Sequence, residues 1–89
     1  MQLQVVARTG ELYSGEVSSV TLPSYEGDMT ILPGHTPVLA VLVPGTVRYR
    51  TTTDQGEIDT ARGFVTVDHD KVLVVVDGRR GEEVDPTEL

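Results

Sequence analysis

The chain has 89 residues, which suits a single domain, and a formal net charge of −7 from 14 acidic and 7 basic residues. This charge argues against binding to nucleic acid or to an anionic membrane surface, because both depend on clustered Lys and Arg. The sequence contains no cysteine, which excludes disulfides and thiolate metal sites. No apolar run approaches the roughly 20 residues that span a bilayer, and no signal segment opens the chain. We therefore expect a soluble, cytoplasmic protein.

Short apolar or alternating segments separated by turn residues recur along the chain, and no helical periodicity exceeds one turn. This spacing predicts an all-β antiparallel sandwich or flattened barrel. The predicted strands and extended pieces span residues 3–7, 12–15, 16–22, 29–32, 38–43, 46–53, 57–61, 64–67 and 72–76.

Three of these segments have local irregularities. Val17 is out of phase with the residues that follow it, which predicts a bulge at Ser18-Ser19. Pro23 is predicted to end the hydrogen-bond ladder of its strand. Residues 38–43 are continuously apolar, which is typical of a strand covered on both faces, by the core and by a partner or a further loop.

A rigid corner lies in the middle of the chain. Gly27 and Gly34 accept positive φ angles, and Pro33 and Pro37 fix φ and remove backbone donors. Pro44-Gly45 is predicted to form a type II turn after the apolar run. The predicted structural corner comprises Gly27, Pro33, Gly34, Pro37, Pro44 and Gly45.

The sequence contains no phosphate-binding loop, nucleophile elbow or cysteine nucleophile. His69, between Asp68 and Asp70, reads as part of a polar hairpin turn and less readily as a metal ligand. His35 lacks a nucleophile or an orienting carboxylate at a recognisable spacing. Its ring is predicted to pin the corner by bonding a backbone carbonyl, to contact a partner, or to do both. We predict a non-catalytic protein without cofactor or metal.

The corner also supports a resemblance to a known family. Glu26-Gly27-Asp28, the run Ile31 to Leu39 with its Pro-Gly-His-Thr-Pro, and Val43-Pro44-Gly45 resemble the epsilon subunits of rotary F-type ATP synthases. Ser14-Gly15 and Gly63 to Val67 extend the resemblance over nearly the whole chain. It implies a ten-stranded β-sandwich over residues 1–81. It also implies that the acidic residues 82–89 are the stub of a missing helical hairpin.

The resemblance further implies a role in the central stalk, where the subunit joins gamma to the membrane rotor ring and couples proton transport to ATP synthesis. Without the hairpin, helix-mediated inhibition of ATP hydrolysis is not expected. The implied location is the cytoplasmic face of the bacterial plasma membrane, within the complex. The positions that match gamma contacts are Ala7, His35, Val38, Ala40 and Leu42. Those that match the rotor-ring contact are Tyr25, Glu26, Gly27, Asp28 and Met29.

Two other classes of function stay open. A free-standing β-sandwich that binds a peptide or sugar predicts a concave aromatic site, but Tyr13, Tyr25, Tyr49 and Phe64 are scattered along the sequence. A small hydrolase or metal enzyme requires a constellation of side chains that the sequence does not offer. A flat apolar patch over residues 38–43 and Ala7 favours the stalk subunit, and a stable monomer with a deep polar pocket favours the binding module.

Overall fold

The computed structural model describes residues 1–80, which form nine β-strands and no helix. The all-β prediction is confirmed, whereas the ten strands that the resemblance implies are nine within this range. Within residues 1–80 there is also no helix long and apolar enough to cross a membrane. The predicted acidic tail lies outside the described residues. The strands are β1 (Gln2–Ala7), β2 (Gly10–Glu16), β3 (Ser19–Ser24), β4 (Gly27–Ile31), β5 (Val38–Leu42), β6 (Gly45–Arg50), β7 (Gln55–Thr60), β8 (Gly63–Asp68) and β9 (Lys71–Val76).

The strands form one continuous sheet that folds over on itself. One half has the order β2-β1-β9-β8-β5, and the other has the order β3-β6-β7 with β4 on the opposite side of β3. Strand pairing joins the two halves where Ser24 lies opposite Leu42, and an isolated bridge between Thr60 and Arg79 links them at the other edge. Residues from both halves, such as Val5 and Val20, belong to one core cluster, so the halves pack face to face as a sandwich.

One strand pair departs from the predicted antiparallel arrangement. β1 and β9 run parallel, with Gln2 opposite Lys71 and Val6 opposite Val75. The two strands are the first and the last of the described chain, so no short hairpin connects them and forces them to run in opposite directions. Sequence patterning fixes strands and hairpins, but it does not fix such a long-range pairing.

The core is built mainly from alternate residues of the strands, most regularly in β1 and β9. In β1, Leu3 and Val5 are fully buried, and in β9 Val72 and Val74 are fully buried. Burying one Val or Leu side chain contributes about 1.5–3 kcal/mol to folding. Because side chains alternate between the two faces of a strand, Val6 in β1 and Leu73 and Val75 in β9 point away from the core.

Pro23 lies inside β3, opposite Asp28, so the prediction that it ends the ladder is wrong. Its carbonyl accepts a hydrogen bond from Val43 N–H at 2.9 Å. The N and C=O of a residue in an antiparallel ladder face the same edge, so the missing N–H faces that side too. There β3 changes partners, since its pairing with β6 ends at Thr21 and its pairing with β5 is at Ser24. No ladder donor is required at this position.

The type II turn is also found at a different Pro-Gly pair from the predicted one. Gly34 has φ 82°, and His35 N–H donates to Leu32 C=O at 3.1 Å, which is the arrangement of a type II turn with Pro33 at its second position. Gly45 has no positive φ and begins β6. Its lack of a side chain serves close packing, because a Cβ there would lie 2.8 Å from Pro23 Cβ.

The predicted bulge at Ser18-Ser19 is replaced by a crossing between the two halves of the sandwich. The chain leaves β2 after Glu16 and enters β3 at Ser19. The crossing is held by hydrogen bonds from Val17 N–H to Met1 C=O and from Ser18 N–H to Arg50 C=O, at 2.8 and 2.7 Å. The register shift that does occur lies in β1, in its pairing with β2.

Candidate partner-binding surface

The corner around His35 is fixed from several sides. Gly34 N–H donates to Asp70 Oδ1 at 3.2 Å, which ties the corner to the turn between β8 and β9. His35 Nδ1 lies 2.8 Å from the carbonyl oxygen of Thr36, so the tautomer with a proton on Nδ1 donates to it. The ring therefore contacts a backbone carbonyl as predicted, while the residue itself stays exposed. Gly27 and Gly34 both have the predicted positive φ.

β5 has one covered face and one open face. Leu42 is buried, and Val38 and Ala40 pack half-buried against the core. Leu39 and Val41 point the other way and are 75% and 63% exposed. The sequence predicted a strand covered on both faces, by the core and by a partner or a further loop, and no loop of residues 1–80 covers this second face.

The exposed side of β5 continues across three neighbouring strands. Strand register places Val41 opposite Phe64, Phe64 opposite Val75, and Val75 beside Val6. The next row runs from Leu39 through polar Thr66 and Leu73 to Gln4. We call the apolar members of these two rows the outer apolar face, which consists of Val6, Leu39, Val41, Phe64, Leu73 and Val75.

All six side chains of the outer apolar face are partly or largely exposed. Contiguous exposed apolar surface of this kind on a folded domain marks a site of interaction. The outward face of the other half of the sheet is polar by contrast. There one row runs from Thr30 through Thr21 and Arg48 to Glu57. Arg48 Nε and Glu57 Oε1 form an ion pair at 3.8 Å. Only one of the two broad faces is therefore suited to close packing against another protein.

The turn between β3 and β4 stands beside the outer apolar face. Tyr25 is 78% exposed, and the carboxylates of Glu26 and Asp28 are also exposed. Met29 is half-buried and packs against the core, which anchors this end of β4. The segment thus presents an aromatic ring and two acids at the surface, which suits electrostatic recognition of a basic or polar partner.

The predicted contact residues fall into two groups. His35, Val38, Ala40 and the 25–29 segment lie at or near the surface around β5. Ala7 and Leu42 belong to the core, at 6% and 1% exposure, and leave almost no side-chain surface for a partner.

Most of the outer apolar face was missed by the sequence reasoning. The continuous apolar run from Val72 to Val76 held the same signal that was recognised in residues 38–43, because every second residue of such a strand must face outward. Phe64 could not be placed from its own strand alone. Its position follows from its neighbours Val41 and Val75 on either side.

Away from this surface, an aromatic pair joins the two halves of the sandwich. The rings of Tyr13 in β2 and Tyr49 in β6 have centroids 4.1 Å apart and planes tilted by 36°. Desolvation, followed by the electrostatic effect of Tyr49, raises the pKa of Tyr13 above its ordinary value. In the described part of the chain, no three His, Asp or Glu side chains are grouped where they could hold a metal ion.

Comparison with known proteins identifies the family. Residues 1–79 match the family model described as the ATP synthase Delta/Epsilon chain, beta-sandwich domain. The chain belongs to this family. The match covers all nine strands and includes the whole outer apolar face.

Individual relatives agree with this membership. The chain is 39% identical over 82 residues to the ATP synthase epsilon chain of Micrococcus luteus, covering 90% of this chain and 89% of that one. It is 37% identical over 76 residues to the ATP synthase epsilon chain of Psychrobacter arcticus, covering 85% of this chain but 55% of that one. The chain thus spans nearly all of the first relative and about half of the second.

Solved structures show the same fold at lower identity. A chain of the Euglena gracilis mitochondrial ATP synthase aligns with a TM-score of 0.80 at 20% identity, over 97% of this chain and 56% of that chain. A chain of the Tetrahymena thermophila mitochondrial ATP synthase central stalk and c-ring aligns with a TM-score of 0.75 at 22% identity, over 92% of this chain and 68% of that chain.

Proposed function

We propose that this chain is a non-catalytic subunit of the central stalk of an F-type ATP synthase, where it joins the gamma subunit to the membrane rotor ring. In this role it couples proton transport to ATP synthesis on the cytoplasmic face of a bacterial plasma membrane. The observation that carries the proposal is the outer apolar face on a member of the ATP synthase Delta/Epsilon family, next to an exposed acidic turn.

The outer apolar face is the proposed site of gamma contact. Burying a large apolar side chain contributes about 1.5–3 kcal/mol, and the six side chains of this face offer a continuous surface for such burial. His35, just before β5, and the half-buried Val38 and Ala40, on the inward face of β5, remain in the proposal as gamma contacts carried over from the sequence prediction. Phe64 and Val41, directly opposite one another on adjacent strands, stand at its centre.

The turn of residues 25–29 is the proposed site of rotor-ring contact. Its carboxylates, Glu26 and Asp28, suit basic and polar loops of a ring, and their main effect is on orientation and association rate. A sandwich whose two halves share one core is stiff, as the transmission of torque requires. The gamma site and the ring site are adjacent, so one rigid domain contacts both partners.

A binding experiment with purified gamma subunit and rotor ring tests this proposal. The change Phe64→Glu places a carboxylate in the centre of the outer apolar face and should weaken gamma binding at least about tenfold. Gln55→Glu is the matched control, because it adds the same charge at an exposed position of β7, in the other half of the sandwich. Asp28→Lys should weaken only the ring contact.

The proposal fails if the folded wild-type chain binds neither gamma nor the ring. It also fails if Phe64→Glu and Gln55→Glu lower gamma affinity equally, because the outer apolar face would then have no special role.

A further inference from the structure

A groove of about 620 Å³ lies between the tip of the β3–β4 hairpin and the edge of β5. Residues 24–29 line one side and residues 38–41 line the other. Tyr25 and Leu39, on opposite sides, are the two most exposed large apolar side chains of the described chain. The groove separates the two contact regions proposed above.

The β5 side of the groove is a free strand edge. Val41 C=O accepts a hydrogen bond from Tyr25 N–H at 2.9 Å, which shows that the polar groups of Val41 face β3. Backbone groups two residues apart in an antiparallel ladder face the same edge. Leu39 N–H and C=O therefore point into the groove. Beyond Ser24, β3 turns away into β4, and within residues 1–80 no strand lies opposite Leu39 on this side.

This edge lacks the features that normally prevent strand pairing. Proteins protect free edges with charged side chains, proline, bulges or a covering loop. Val38 to Leu42 contains neither a charge nor a proline, and its pairing with β8 is regular. An unprotected apolar edge with two unpaired backbone groups is a template for another strand.

The charges around the groove restrict which strand fits. Glu26 and Asp28 are its only ionisable acids, and no Lys, Arg or His lines it. Neither carboxylate takes part in an ion pair within the described part of the chain. A segment with Lys or Arg at the hairpin end of the groove would complement both acids.

We propose that this groove binds an extended basic and apolar segment of a partner protein, which adds as a strand to the free edge of β5. Leu39 N–H and C=O pair with the main chain of the segment, apolar side chains pack beside Leu39 and Tyr25, and a Lys or Arg faces Glu26 and Asp28. The inference does not depend on the stalk assignment, because any protein with such a segment can use the same edge.

Charge argues against two other occupants. Residues 82–88 of this chain contain four acids and no base, and would be repelled by Glu26 and Asp28. A second copy would bring together two chains of net charge −7 and duplicate both carboxylates at the contact.

The test uses the whole chain and a synthetic peptide of alternating lysine and valine, seven residues long. A control peptide has the same sequence with a methyl group on every backbone nitrogen, so that neither of its edges can pair with β5 as a strand. We expect the first peptide to bind and to slow hydrogen exchange at the Leu39 amide. The methylated peptide should bind at least about tenfold more weakly, and added salt should weaken the binding of the first peptide.

Two variants of the chain complete the design. Leu39→Pro removes the N–H that faces the groove, and an edge position tolerates proline when its N–H faces away from the ladder. It should abolish peptide binding. Its gamma binding does not serve as a control, because Leu39 also belongs to the outer apolar face. Phe64 belongs to the outer apolar face and does not line the groove, so Phe64→Glu should weaken gamma binding and leave peptide binding within about threefold. If Leu39→Pro does not fold, the pair of peptides still decides the question.

Equal binding of the two peptides would overturn the proposal, because strand pairing would then contribute nothing. The same conclusion follows if the peptide slows hydrogen exchange at no amide of β5. It also follows if the chain forms a dimer that slows exchange at β5 when no peptide is present. Loss of gamma binding by wild type with retained peptide binding would remove the stalk assignment and leave the groove proposal standing.

Discussion

At the scale of single residues, Gly45 and Gly63 are required because a side chain would not fit, and not because their backbone adopts a positive φ. A Cβ at Gly45 would lie 2.8 Å from Pro23 Cβ, and a Cβ at Gly63 would overlap the carbonyl oxygen of Val75. Neither glycine has a positive φ. The sequence suggested a turn at Gly45 because Pro-Gly pairs are typical of turns, and only the contact with Pro23 reveals its actual role.

The two positions should differ in their sensitivity to alanine. Gly45→Ala displaces a proline ring and should lower the free energy of unfolding by about 1–3 kcal/mol. Gly63→Ala meets backbone that is held by the β8–β9 pairing, so it should cost more. Urea denaturation of both variants checks the ranking, and equal midpoints would contradict it.

Asp70 has two separable roles at the corner. It accepts the hydrogen bond from Gly34 N–H, and it has a positive φ of 60°. Asp70→Asn keeps an acceptor oxygen and tolerates this φ, so it should unfold close to wild type. Asp70→Gly keeps only the backbone freedom and should be less stable than Asp70→Asn by about 0.5–1.5 kcal/mol. If thermal melting does not separate the two variants, the Gly34 contact does not stabilise the fold.

At the scale of elements, the positions of the strands along the chain could be predicted from the sequence, because turn residues punctuate the chain at nearly every reversal, although the resemblance implied ten strands where residues 1–80 form nine. Each of the nine predicted segments has a counterpart between β1 and β9. The parallel pairing of β1 with β9 could not be predicted, since it joins segments far apart in the chain. The position of Pro23 inside β3 could not be predicted either. A proline fits there because no N–H is needed between the end of the pairing with β6 at Thr21 and the pairing with β5 at Ser24.

The contact between β2 and β6 leads to a prediction about alkaline pH. The pKa of Tyr13 is raised in the folded chain, so above pH 10 the unfolded state loses this proton first. The folded state then binds more protons than the unfolded one, and stability falls as the pH rises through this range. Tyr13→Phe should make the fall shallower, as measured by urea denaturation between pH 8 and about 11. If Tyr13→Phe leaves the pH dependence of the free energy of unfolding unchanged, the raised pKa of Tyr13 does not cause the fall.

At the scale of the whole molecule, the sandwich has one polar and one apolar outer face, and this asymmetry is what fits it to a place in a complex. The continuous apolar run in residues 38–43 pointed to two of the six residues of the outer apolar face, Leu39 and Val41. The rest arises only when β1, β8 and β9 are brought beside β5. The resemblance in the corner motif led to the correct family, and it also suggested two core residues, Ala7 and Leu42, as contacts. Contact positions transferred by similarity do not distinguish the inward side of a strand from its outward side.

The central claim, that the outer apolar face is covered by a partner in the assembled synthase, can be measured directly by cysteine labelling. The chain has no cysteine, so single replacements at Phe64, Val75 and, as the control on the polar half, Gln55 each provide one thiol. All three should react with a soluble maleimide in the isolated chain. In the intact ATP synthase, we expect labelling at 64 and 75 to fall at least about tenfold while labelling at 55 persists. Equal labelling of all three positions in the intact enzyme would contradict the account.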